Sequence, residues 1–107
     1  MDLEQRFHEL REQSKKCAEA KAQMDYLEEF KKSKLAILMK QYEPDYPTAA
    51  AQEREARADK KYLELLEGLK AARAEYETER WSLKIAEMRF EAWRSKQATN
   101  RAEMQMR

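Results

Sequence analysis

The sequence predicts an all-α protein, an antiparallel helical hairpin built as a coiled coil of two long, unequal helices, and three observations predict it. Only one Gly and two Pro occur in 107 residues, too few turn formers for a sheet protein or a loop-built site. Both prolines, Pro44 and Pro47, fall in one short stretch. Apolar residues recur in steps of four and three along much of the chain, which is the 3.5-residue repeat of a coiled-coil seam. The chain accordingly reads as one helical-hairpin domain, residues 1–107, with helix one over about 2–42, a turn at 43–47 and helix two over about 48–105.

Helix one carries the stripe Leu3, Phe7, Leu10, Cys17, Ala20, Met24, Leu27, Leu35, Leu38 and Tyr42, interrupted by Ser14 and Lys31. The turn follows from its prolines, each of which removes a backbone donor and pushes the preceding residue out of the helical region. Asp45 or Thr48 can cap the second helix, and Glu53 and Glu55 stand where the helix dipole favours acids. Helix two has the clearest pattern: steps of four and three from Ala58 land on Tyr62, Leu65, Leu69, Ala72, Tyr76, Glu79, Leu83, Ala86, Phe90 and Trp93. Glu79 alone is polar. Large and small residues alternate along this seam, as closely packed antiparallel helices need. Gly68 passes through it without a skip, so it reads as a weak point of ~1 kcal/mol or a close backbone contact rather than a helix end.

The hairpin leaves apolar residues over. With a turn centred near residue 45, helix one runs out opposite residue 87 or so, and Phe90, Trp93 and Met104 extend past it. A second stripe, Ala71, Ala74, Thr78, Trp81, Ile85, Met88 and Ala92, lies on the face of helix two opposite the main seam, and Tyr26, Phe30 and Ile37 lie off the main stripe of helix one. A mean hydropathy of −1.08 leaves little for a globular core, and burying a Trp or Phe gains roughly 2–3 kcal/mol. The expectation is a homodimer of hairpins forming a four-helix bundle, with Tyr26, Phe30, Ile37, Trp81, Ile85, Met88, Phe90 and Trp93 at the interface with a second copy or a larger protein.

Lys and Arg number 22 and Asp and Glu 21, a net charge of +1. The balance hides an acidic middle and a basic end: residues 80–107 hold seven bases and three acids. There Arg89, Arg94, Lys96 and Arg101 interleave with Phe90 and Trp93, a composition that can neutralise phosphates and stack bases. A nucleic-acid-binding accessory is therefore the alternative function, and a purely structural coiled coil the third.

Catalytic chemistry finds no motif. His8 and Cys17 are the only residues of their kinds, and nine positions apart on a helix they face opposite ways. Glu4, His8 and Glu12 share a face but read as solvated, since a di-iron bundle needs a second histidine-bearing helix. No Gly-rich loop or nucleophile elbow occurs. The expectation is no enzyme, no cofactor, no metal and no small-molecule substrate. The longest apolar run, Leu35 to Met39, is far short of the ~20 residues of a membrane span. The opening Met1-Asp2-Leu3-Glu4 carries an acid where a signal peptide has bases, and lone Cys17 fits a reducing compartment, so a cytoplasmic location is expected.

The string Arg80-Trp81-Ser82-Leu83, then Glu91-Ala92-Trp93-Arg94-Ser95 and Arg101-Ala102-Glu103-Met104, resembles small helical proteins of bacteriophages and prophages, often encoded beside recombination or early-region genes. The resemblance covers roughly the last quarter of the chain. It implies a phage accessory protein or inhibitor in the bacterial cytoplasm that binds a DNA-processing or defence protein, and it carries no catalytic residues across.

Overall fold

The computed structural model describes residues 2–106; Met1 and Arg107, the ends of the 1–107 span, lie outside the described residues. The chain is all α-helical, with α1 over Leu3–Tyr42, α2 over Ala49–Ala58 and α3 over Lys60–Met106. Asp2 opens α1 through a reciprocal capping box: its Oδ1 accepts from the Gln5 backbone N–H at 2.9 Å, and Gln5 Oε1 accepts from the Asp2 N–H at 3.0 Å. Past Tyr42 the prolines end the helix. The N–H groups of Asp45 and Tyr46 close the turn on the Tyr42 carbonyl, both at 3.1 Å. Thr48, not Asp45, caps α2, its Oγ1 accepting from the Ala51 N–H at 3.1 Å.

Where a single second helix over 48–105 is expected from the sequence, there are two, because Asp59 breaks it. Asp59 is extended, with φ −65° and ψ 138°. Its N–H donates to the Ala56 carbonyl and ends α2, while its carbonyl accepts from Leu63 at 3.0 Å. Its carboxylate starts α3 by accepting from the Lys61 N–H at 2.8 Å and also takes the Tyr42 hydroxyl at 2.7 Å. The break therefore forfeits little backbone bonding. It also moves the seam: Ala58 is exposed and Ala56 is buried in its place.

The chain divides into two compact units, Ala20–Tyr76 and Met1–Glu19 with Glu77–Arg107. In the first, Leu38, Ala56 and Tyr62 form a buried cluster with Leu35, Met39, Tyr42 and Leu66 packed around it, and Leu69 is buried further along α3. Glu28 on α1 receives the Arg73 guanidinium from α3, which, ahead of the neighbouring lysines, holds the Glu28 carboxyl below its usual range. In the second unit Phe7 stacks on Phe90 with centroids 5.4 Å apart, and Ala86 is buried. There Gln13 occupies the position given above to Ser14. Its Nε2 donates to Glu79 Oε2 at 2.6 Å and to the Glu79 carbonyl at 3.1 Å, so the one polar residue of the α3 seam is met by an amide.

Within each unit the α1 and α3 partners run in opposite senses, Tyr42 with Asp59 and Glu28 with Arg73 in one, Phe7 with Phe90 and Gln13 with Glu79 in the other. Each partner on α3 comes later than a turn centred near residue 45 gives. In the unit Ala20–Tyr76 the reason is α2: its ten residues stand between the end of α1 and the start of α3, so Asp59 rather than residue 48 meets Tyr42. The expectation that α1 runs out before Phe90 is corrected accordingly.

Candidate interaction surfaces

In α3 the seam residues Glu79, Leu83, Ala86 and Phe90 are half-buried or buried. Half a turn around the same helix, Thr78, Trp81, Ile85, Met88 and Ala92 are all exposed. Trp81 keeps 56%, Ile85 47% and Met88 68% of its surface in solvent, and their spacing of four and three puts them in one row. Isolated exposed apolar residues are ordinary, whereas several in heptad register on one helical face make a candidate contact surface. Periodicity of apolar residues alone passes over two side chains that border the row. Lys84 places its Nζ 4.6 Å from the centroid of the Trp81 ring, and Glu77 accepts from Arg80 Nη2 at 3.1 Å. The available signal is a run of charges seven apart, Lys70, Glu77, Lys84 and Glu91.

The residues picked out on α1 form a separate surface. Tyr26 is 61% exposed and stacks on half-buried Phe30 with centroids 6.0 Å apart and planes 8° from parallel. Ile37 is exposed. Phe90 and Trp93 belong with neither row. Both are half-buried, Phe90 lies between Phe7 and Trp93, and with Leu3, Arg94, Gln97 and Arg101 they line an open hollow.

The basic residues divide in the same way. Arg89 Nη1 donates to Glu9 Oε1 at 3.3 Å, and Arg94 pairs with Glu91 one turn back at 3.3 Å. Lys96 and Arg101 are exposed. Lys96 borders a second open hollow with Arg6, Glu9, Arg89 and Trp93. The aromatic rings in this segment are thus engaged with other rings rather than presented flat to solvent, and two of its four cations already have carboxylates.

His8, Glu4 and Glu12 are exposed on α1, and Cys17 is half-buried and free. Among the described residues no three His, Cys, Asp or Glu side chains stand close enough together to hold a metal ion, and no helix is long and apolar enough to cross a membrane. No family model matches the chain, and no curated protein or solved structure matches it either.

Proposed function

We propose that this chain is a non-enzymatic protein-interaction module that acts by occlusion or scaffolding and whose contact surface is the outer face of α3. Its partners are a second copy, two hairpins forming a four-helix bundle, and a larger protein of DNA processing or defence, in keeping with the small helical phage accessory proteins that its C-terminal quarter resembles. The observation that carries the proposal is the row Trp81, Ile85 and Met88, each about half exposed or more on one helical face. Covering the half or so of each side chain still in solvent gains about 1–2 kcal/mol apiece, and a two-fold contact counts each of them twice. The opposite senses of the α1 and α3 partners within each unit support the hairpin. Nucleic-acid binding draws less support, because Arg89 and Arg94 are paired with acids and Phe90 is stacked on Phe7. The test is light scattering over a concentration series. The wild-type chain should dimerise at tens of micromolar and W81E/M88E should remain monomeric; a wild-type chain monomeric throughout would overturn the homodimer.

A further inference from the structure

We propose that the outer face of α3 is self-complementary and pairs with the same face of a second copy, the two helices antiparallel about a two-fold axis passing between Thr78 and Trp81. This rests on the interaction reading above and specifies the geometry of its self-contact. The row is graded in size along α3, which runs unbroken from Lys60 to Met106. Its N-terminal part is small, Ala71, Ala74 and Thr78, and its C-terminal part is large, Trp81, Ile85 and Met88, all exposed. An antiparallel pairing turns this gradient against itself. Trp81 then sits opposite Thr78 of the second copy, Ile85 opposite its Ala74 and Met88 opposite its Ala71, each large side chain filling the space over a small one. A parallel pairing in register would instead set Trp81 on Trp81 and Met88 on Met88, and leave the alanines facing a gap.

The charges along one flank select the same register. Lys70, Glu77, Lys84 and Glu91 follow at intervals of seven with alternating sign. About the proposed axis Glu77 meets Lys84 of the second copy and Lys70 meets its Glu91, and the symmetry makes each pair twice. Sliding one helix by seven residues toward either end brings like charges together, Glu77 on Glu91 and Lys84 on Lys84 in one direction, Lys70 on Lys84 and Glu77 on Glu77 in the other. The alternation therefore penalises the neighbouring registers as well as favouring this one. The opposite flank adds no like pair across the row, since Glu75 falls opposite Ser82 and Arg89 opposite Gly68. The present partners of these groups permit the exchange. Glu77 and Arg80 form an exposed pair one turn apart, and Lys84 lies over Trp81 at the edge of the row, where a small rotation of its long side chain reaches across the axis.

The experiment is sedimentation or light scattering of E77K, K84E, the double variant E77K/K84E and an equimolar mixture of the two single variants, with circular dichroism to verify helix content. Each single reversal sets two like pairs across the axis and should weaken the dimer roughly tenfold or more. The double variant should recover wild-type affinity to within about threefold, and the mixture should form a heterodimer that neither variant forms alone. If the wild-type dimer is lost in W81E/M88E yet indifferent to every charge exchange, this geometry is overturned while the interaction surface stands. A tighter dimer in K84E would likewise overturn it in favour of the register that faces Lys84 with Lys70 of the second copy. A wild-type chain that never dimerises overturns this geometry and the homodimer with it.

Discussion

Asp59 ends one helix and begins the next with a single carboxylate, and its two acceptor oxygens divide the work: one takes the Lys61 N–H, the other the Tyr42 hydroxyl. The Tyr42 hydrogen bond, more than the Lys61 N–H, holds the Asp59 carboxyl below its ordinary range, and the same bond raises the Tyr42 phenol above its own. The two shifts give opposite pH signs. A lowered Asp59 contributes stability that is full above its unfolded value of about 4 and is lost as pH falls through its folded value. A raised Tyr42 contributes stability that is full below about pH 10 and is lost as pH rises through its folded value. The pair should therefore support the fold across the whole neutral range. Tyr42→Phe is expected to return Asp59 toward the ordinary carboxylate range and move the acid limb of a melting-temperature profile to higher pH. Asp59→Ala removes the cap as well, and should lower the melting temperature by roughly 5 °C at pH 7. Identical acid limbs in Tyr42→Phe and wild type would show that the bond contributes nothing.

At the scale of the helix, the α3 seam from Tyr62 to Trp93 was legible because a 3.5-residue repeat needs only residue types to be seen, and its members are half-buried or buried in the fold. The break ahead of it was not legible. Ala58-Asp59-Lys60-Lys61 contains no Gly or Pro, and an Asp, though favoured at caps, also occurs on the solvent face of an unbroken helix. What decides is Tyr42, seventeen positions away, whose hydroxyl reaches the carboxylate only once the chain has folded back. Without that break the partners of α1 were placed too early, by about the length of α2 for Tyr42 and Glu28 and by less for Phe7 and Gln13, and Phe90 and Trp93 looked uncovered. The Gln13–Glu79 contact was half legible: Glu79 stands out as the polar member of the seam, while the α1 stripe is read through Ser14 and passes beside Gln13. Gly68 shows the converse, a feature whose alternatives only the folded structure separates. A Cβ built there meets nothing within 4 Å, and its φ is not positive, so no close approach requires glycine. Gly68→Ala should stabilise the chain by about 1 kcal/mol through helix propensity alone, seen as a higher urea midpoint at unchanged slope. A destabilised variant would mean that the backbone at this position is needed for something beyond the helix.

For the molecule as a whole, the described residues include five buried hydrophobics, Leu38, Ala56, Tyr62, Leu69 and Ala86, two of them alanines, against ten large hydrophobics left exposed. A chain of about a hundred residues must offset on the order of 100 kcal/mol of conformational entropy, and so small a buried set offers it little surplus. If the outer face of α3 is where a second copy adds apolar burial, folding and association are linked, and the stability of the chain becomes a function of its own concentration. Raising the protein about a hundredfold should then raise the melting temperature by roughly 5–10 °C. In W81E/M88E the face is charged and the burial unavailable, so its melting temperature should not move with concentration, while its helix content at low temperature should match wild type, because neither side chain packs in the α1–α3 seam. The contrast between the two dependences is what isolates the face: a concentration dependence shared by both proteins would put the association elsewhere, with Tyr26, Phe30 and Ile37 of α1 the next surface to charge.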